Sequence, residues 1–476
     1  MTLRELFVAG ALALVYTVAA PLEPPDGAAA ALAAGGRALG HGTVDVGDTF
    51  VDPRFTQCFG GRRRITLPIG AQLALVPAAL VENAGERWLP RAHLRVERLG
   101  EGLAALCVIL ICLKLGRRLE QEGFSPATAA GVALLLGLGT SLGGAARGCD
   151  GTALAALCLY LALESTIAAR PLRAGLGFGA LLLVDPGYFA ATLAATIWLV
   201  WRRRALVAAP LMGVPILAAL ALALWYRRTT GAWADGGSVV EGTVGLVWST
   251  GKGLLTFHPI LWALPWAYGR VWSRRDPRTL VAVVSVAAVL VIAAGARWHA
   301  DPSYGPTRLA PLIPWLLLLV AGYAHGLTQT RLVQATMALL IAGSLSIQLF
   351  GVVVRASDWD RLATRVAAQT GAPDWFAEPA SQVHFIPQFS PLVGHPWVVR
   401  RWLAPPASPK PGIPTPVPVD VPWHLILPMA PSIDAEVAKL SADVLPMRGW
   451  LRGLVLTVAA GLAAAALRRR RTQPTA

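Results

Sequence analysis

Five groups of polar residues interrupt an otherwise apolar chain, each where an apolar run begins or ends. Glu23-Pro24-Pro25-Asp26 follows the first run, and Arg147-Gly148-Cys149-Asp150 separates the third from the fourth. Gly251 to Pro259 carries Lys252 and His258, Trp298 to Arg308 carries Tyr304, and Ser346 to Gly351 carries Gln348. A carboxylate at one helix mouth facing lysine, histidine and arginine at others suits transfer from a phosphate-linked donor. The carboxylate takes a proton from the acceptor, and the cations stabilise the departing phosphate. Any one group alone also has a plain explanation, because charged residues commonly cap membrane helices at the interface.

The elements that must hold these groups are apolar helices. Of 476 residues, 55% are hydrophobic and 14% charged, against about a quarter charged in a soluble globular chain. Mean hydropathy is +0.54, which excludes a soluble enzyme, a disulfide-stapled secreted domain, a fibrous protein and a disordered chain. Apolar runs fall at Leu6–Ala20, 98–115, 127–145, 151–168, 173–185, 187–201, 205–226, 253–269, 279–296, 308–325, 332–354 and 449–467. This predicts an all-α polytopic membrane protein with about 12 transmembrane helices. The first run is expected as a retained helix. Asp185-Pro186-Gly187 breaks two short runs into a tight hairpin. A segment at Leu67–Leu80, with Pro68, Gly70 and Pro77, is too short to span and reads as interfacial or re-entrant.

Basic residues set the orientation. With the N-terminus in the cytoplasm, the inside segments receive Arg4; Lys114, Arg117 and Arg118; Arg170 and Arg173; Arg202 to Arg204; Arg270, Arg274, Arg275 and Arg278; Arg331; and Arg468 to Arg471. The short outside turns carry only Arg147. This positive-inside pattern puts both ends in the cytoplasm and the polar groups on the extracytoplasmic face. It also accounts for the net charge of +15 without nucleic acid, for which no aromatic or glycine-rich platform is present. Outside lie a long first loop (21–97) and a proline- and tryptophan-rich stretch, 355–447, expected as a lid on the membrane face. The five cysteines make no C-x-x-C pair. Cys58 and Cys149 fall on one side, where a bridge between them is open. Helix interiors are nearly free of ionisable residues, with Glu101 and Glu164 near helix ends, which disfavours a proton-coupled transporter or channel.

Taken in order, the groups resemble the GT-C superfamily of integral-membrane glycosyltransferases. The similarity is to the polyprenyl-phosphate-sugar-dependent branch, with relatives of aminoarabinose transferases and protein O-mannosyltransferases. An Asp after the first helix precedes a small-residue stretch ending Arg37-Ala38-Leu39-Gly40-His41-Gly42. Leu67-Pro68-Ile69-Gly70 before Leu75-Val76-Pro77 looks like the family's proline–glycine run, and Gly139 to Asp150 is similar to its Arg-then-acidic segment. Gly251–Pro259 resembles a G-L-L-x-x-x-P signature, Trp298–Pro311 a W-x-G-G-x-Y-G-P-R-x-L-x-P signature, and Ser346–Gly351 an S-x-x-Q-x-x-G segment. Ala300-Asp301 replaces the expected Gly-Gly, Thr307 is inserted before Arg308, and Gly60-Gly61-Arg62-Arg63-Arg64 replaces an aromatic stretch.

The resemblance implies roles residue by residue. Asp26 matches the first-loop carboxylate and is the expected general base, with Glu23 behind it; a helix-end cap is its other reading. Asp150 is expected to orient the acceptor or help bind a divalent cation, or to cap the next helix. Lys252, His258 and Arg308 are expected at the donor phosphate, Arg308 through a bidentate guanidinium, and Arg147 beside them. Tyr304 and Trp298 stack on sugar or belong to the interfacial aromatic belt. Arg62–Arg64 meet either the donor or anionic headgroups. The implied whole is a bacterial plasma-membrane enzyme with a transmembrane core (1–354), the lid (355–447), and a last helix with a basic tail (448–476). It would move a sugar from a polyprenyl-phosphate donor to an extracytoplasmic acceptor. The alternatives are a flippase of lipid-linked saccharide and an inactive homologue.

Overall fold

Helix α1 (Leu3–Val18) starts on a capping box. The Thr2 hydroxyl accepts from the Glu5 N–H at 3.3 Å, and the Glu5 carboxylate accepts from the Thr2 N–H at 2.7 Å, so two orphan donors are satisfied reciprocally. The computed structural model describes residues 1–19, 27–47, 55–59, 62–88, 95–202, 205–229, 237–269, 276–295, 298, 304–327, 330–353, 359, 384–385 and 390–396. Glu23, Asp26, the 405–418 prolines and the 449–467 run lie outside the described residues.

The first loop is built rather than extended. Helix α2 (Gly27–Gly40) packs along α3 (Ile69–Trp88), and its small residues allow close approach: a Cβ on Gly36 would stand 2.8 Å from that of Leu75. The interfacial segment expected at Leu67–Leu80 is therefore longer, a 20-residue helix that accommodates Pro77 in its interior. Between α2 and α3, strand β1 (Thr56–Phe59) pairs antiparallel with β2 (Arg62–Ile65) in the register Thr56–Ile65 to Phe59–Arg62. Ile65 is buried with Ala31, Ala34, Ala38 and Val46. This small hairpin is the one piece of sheet among the described residues of an otherwise all-α fold. Its strands are too short to show alternation in sequence, although Gly60-Gly61 between them is a hairpin signal.

The bundle follows with α4 (Val96–Gln121), α5 (Pro126–Leu138), α6 (Ser141–Ala145), α7 (Thr152–Ile167), α8 (Pro171–Val184) and α9 (Phe189–Trp201). After these come α10 (Ala205–Thr229), α11 (Val239–Trp248), α12 (Leu254–Phe257), α13 (Leu264–Gly269), α14 (Pro277–Ala293), α15 (Ile313–His325) and α16 (Arg331–Val353). Short 3-10 segments at Pro186–Tyr188, Pro259–Ala263 and Thr307–Leu312 lead into α9, α13 and α15. Among the described residues, Val96–Gln121, Thr307–His325 and Arg331–Val352 are long and apolar enough to cross a membrane, and Pro126–Leu138, Thr152–Ile167, Pro171–Val184, Val239–Trp248 and Pro277–Ala293 are shorter apolar helices. Two runs depart from single helices. The 127–145 run stops at Leu138, because Thr140 turns its hydroxyl onto the Leu136 carbonyl at 2.6 Å and then caps α6. The 253–269 run is broken at His258-Pro259, where proline supplies no N–H donor. Between the 205–226 and 253–269 runs lies α11, capped by Ser238.

The helix ends assigned to one face by the basic residues do meet at one end of the bundle. Arg117 on α4 pairs with Glu5 on α1, and Lys114 pairs with Glu164 at the end of α7 at 2.8 Å. Arg278 at the start of α14 reaches Glu122 at 3.6 Å. The chain divides into two compact units, Met1–His395 and Pro396–Ala476. The described pieces 384–385 and 390–395 of the expected lid thus belong to the first unit.

Candidate functional site at the other end of the bundle

At the opposite helix ends the polar motifs are joined largely through backbone groups. Helix α7 begins after Gly151, whose φ of +87° is open to glycine. The Asp150 carboxylate accepts from the Thr152 N–H at 2.9 Å. This is the capping role weighed above, executed one position before the formal cap. Tyr160, eight residues into α7, stacks on Trp315 at 5.0 Å between centroids. Trp315 is seven residues beyond Arg308. At helical rises both intervals are about 12–14 Å, so Arg308 and the start of α7 lie at about the same depth.

His258 is fully buried, and both its ring nitrogens are committed. Nδ1–H donates to the Leu254 carbonyl at 2.8 Å, and Nε2 accepts from the Ser141 N–H at 2.9 Å. The ring ties α12 to the first residue of α6, so His258 holds two motifs together instead of presenting a nitrogen to a ligand. Lys252 is buried too, its N–H donating to Ser249 Oγ at 3.0 Å. The Tyr304 hydroxyl donates to the Ile347 carbonyl at 2.9 Å. Its ring meets Phe257 edge-on and stacks on His395 at 4.7 Å, which is packing rather than an open sugar platform. Gln348 donates to the Phe257 carbonyl at 3.3 Å, and Ser344 Oγ accepts from the Ile260 N–H at 3.1 Å. The motifs at 140–150, 251–259, 304–308 and 344–351 are therefore one physical assembly.

Arg147 is half-buried, with Nε donating to the Gly143 carbonyl at 3.3 Å; burial pulls its guanidinium down to about 10, opposed by the Tyr16 hydroxyl nearby. Arg308 differs from the other cations. It is half-buried, its carbonyl accepts from the Tyr188 hydroxyl at 2.7 Å, and among the described residues its guanidinium donates no hydrogen bond. Asp185, a residue read in the sequence only as a helix break, lies within electrostatic reach of it. Asp185 caps the Pro186–Tyr188 turn, accepting from the Gly187 N–H at 2.9 Å. Burial pushes its carboxyl above the usual range, while Arg308 and the Gly187 N–H pull the other way.

No family profile and no curated protein matches the chain. Among solved structures, ArnT from Cupriavidus metallidurans, crystallised bound to undecaprenyl phosphate, is similar over 99% of this chain and 80% of that one, with 15% identity and a TM-score of 0.44. A likeness at that level leaves family and activity to be argued from the residues.

Pieces of the expected lid reach the same assembly. The His384 carbonyl accepts from the Gly251 N–H at 2.9 Å and the Thr250 hydroxyl at 3.3 Å, and Ser390 donates to the Thr250 carbonyl. Phe385 packs edge-on against Trp298 at 5.7 Å, and His395 donates from Nδ1 to the Phe350 carbonyl at 3.2 Å. Among the described residues no three His, Cys, Asp or Glu side chains gather as a metal site. The described cysteines are all free thiols: Cys58 is exposed on the hairpin, while Cys149 is buried against the Ala29 carbonyl at 3.6 Å. The open bridge between them is not formed.

Proposed function

We propose that the chain is a membrane glycosyltransferase of the bacterial plasma membrane that moves a sugar from a polyprenyl-phosphate donor to an extracytoplasmic acceptor. The observation that carries this is Arg308. A half-buried guanidinium without a hydrogen-bond acceptor among the described residues, set where four polar motifs converge, suits a phosphate brought in by a ligand. Asp26, on the stretch between α1 and α2, is proposed as the base. The acceptor oxygen bonds to the anomeric carbon as its proton passes to Asp26. The bond from that carbon to the phosphate oxygen breaks, and the phosphate leaves toward Arg308, with inversion. Asp150 and Arg147 shape the acceptor side, Lys252 adds positive potential behind the phosphate, and His258 and Tyr304 position the motifs. The described pieces at 384–385 and 390–395 are proposed as part of a lid over the donor.

The test is incubation of purified protein with labelled polyprenyl-phosphate sugars and an envelope extract. Label moving to an acceptor, and ceasing to move in Asp26→Asn, is the expected result. Label that stays on the lipid while the lipid crosses the bilayer of proteoliposomes would replace the enzyme with a flippase.

A further inference from the structure

Helix α3 lies across the ends of α4, α7 and α8 instead of running beside them. At its start Gly70 abuts the Leu183 backbone in the last turn of α8, and Ala71 packs at Gly151, just before α7. Leu75 meets Gly100 in the second turn of α4, and the Glu82 carboxylate accepts from the Val96 N–H at 3.1 Å. Each of these partners sits near a helix end on the side of the polar motifs.

The amphipathic pattern of α3 is inverted. Its inward face carries the polar groups: Gln72 donates to the Leu67 carbonyl at 2.7 Å, and Glu82 accepts from Arg37 at 2.7 Å. Its outward face is Leu73, Pro77, Leu80, Val81, Ala84 and Trp88, all exposed. Leu73, Leu80, Val81 and Trp88 are between 46 and 75% exposed. By helical spacing the six fall in a stripe about 100° wide with no polar side chain in it. A helix facing water shows the reverse pattern, and an exposed apolar face of this extent marks a binding surface. Basic groups gather at one end of the stripe. The Arg87 guanidinium flanks it, 5.8 Å from the Trp88 ring centroid, and Arg95 precedes Val96 beside Glu82. Both are exposed, and neither has a carboxylate partner among the described residues. The acids nearby are already paired or turned away: Glu82 and Glu97 with Arg37, Glu101 with Arg98, and Glu86 about opposite the stripe.

We propose that α3 is an amphipathic anchor lying in the lipid leaflet on the side of the polar motifs. The stripe sits among acyl chains, and Arg87 and Arg95 meet the phosphates of anionic phospholipid headgroups. Lipid fits this face because Arg87 and Trp88 close the stripe with the cation and amphipathic ring that membrane interfaces favour. Two exposed guanidiniums without carboxylate partners complement an anionic surface. On the proposed orientation the positive-inside rule turns basic residues away from this side, so these two arginines call for a local reason. The anchor is independent of sugar transfer: it sets the depth of α2 and α3 whichever substrate the site takes.

The test uses the full-length protein in proteoliposomes, with Cys58→Ser, Leu80→Cys and an environment-sensitive fluorophore on the new thiol; signal from Cys58→Ser alone is subtracted. Doxyl groups on the acyl chains are expected to quench the label, and iodide on both sides of the membrane to leave it bright. At equal mole fraction, doxyl phosphatidylglycerol is expected to quench at least about twofold more than doxyl phosphatidylcholine. That excess is expected to vanish in the double variant Arg87→Gln, Arg95→Gln, while unchanged quenching by doxyl phosphatidylcholine reports that α3 is still in place. Quenching by iodide alone would put the stripe in water, and protection from both quenchers would put it under protein; either overturns the anchor. Equal quenching by the two lipids, or an excess that survives the double substitution, would overturn the headgroup contact.

Discussion

A buried imidazole with both nitrogens paired is a joint. Replacing His258 by phenylalanine keeps a ring in place but strands the Ser141 N–H in a sealed place, while the Leu254 carbonyl keeps the backbone N–H of residue 258. Such a loss costs about 1–3 kcal/mol, so unfolding in detergent is expected a few degrees below the wild type. Arg308→Ala should unfold at the wild-type temperature, since its guanidinium has no hydrogen bond to lose among the described residues. Equal destabilisation by the two would contradict the division between joint and ligand site. This division was only partly legible in the sequence. Arg308 stood out because a cation at the mouth of an apolar run is conspicuous, and Asp150 because it precedes a helix. Asp185 did not, since Asp-Pro-Gly spells turn chemistry whatever else the carboxylate does. The role of His258 depends on Ser141, 117 residues away, and such a pairing leaves no local trace.

Helices α2, α3 and α4 are locked by a charge cluster. Arg37 donates to both oxygens of Glu82, at 2.7 and 2.9 Å, and to Glu97 at 2.7 Å, and Glu82 also accepts from the Val96 N–H at 3.1 Å. Burial alone would raise the Glu82 carboxyl, but the Arg37 and Val96 donors hold it below its ordinary 4.5. A carboxyl depressed in the folded state stabilises above its unfolded value, and that contribution drains away as pH falls through the folded one. Hydrogen exchange in 27–40, corrected for intrinsic rate, is thus expected to quicken below pH 4.5, and Arg37→Gln to show the quickened rate already at pH 6. Exchange indifferent to both would remove the cluster as the lock. A steric test stands beside it. A Cβ at Gly70 would lie 2.5 Å from the Leu183 carbonyl carbon, whereas one at Gly102 would meet nothing. Gly70→Val is expected to cost about 1–3 kcal/mol, measured by thermal unfolding, and Gly102→Val little. The apolar runs announced most of these helices. What periodicity could not announce was the pairing of short strands or the fracture of the 127–145 and 253–269 runs by side chains and prolines that redirect the backbone.

At the scale of the molecule, Lys114, Arg117 and Arg278 are ion-paired at one end of the bundle and the polar motifs interlock at the other, which on the proposed orientation faces outside the cell. Cys58 gives a native handle for testing this, because it is the exposed thiol among the described residues. A membrane-impermeant thiol reagent is expected to label Cys58 in intact cells and to miss a cysteine introduced at Glu120, at the opposite end. The reverse pattern would invert the topology and with it the side on which transfer takes place.

The hairpin that carries Asp185 is also short. Helix α8 has 14 residues and α9 has 13, or about 20 Å each at 1.5 Å per residue, against a hydrocarbon layer of about 30 Å. Leu172, Leu176, Leu193, Ile197 and Val200 are exposed along the pair. Acyl chains beside this face must compress to match it. The dimple so formed would lower the lipid surface toward the Asp185 turn, bringing headgroups to the depth of Arg308 before any donor is gripped. Reconstitution in bilayers of increasing acyl length should then slow transfer stepwise, and rates indifferent to thickness would show that the protein, not the lipid, makes up the difference.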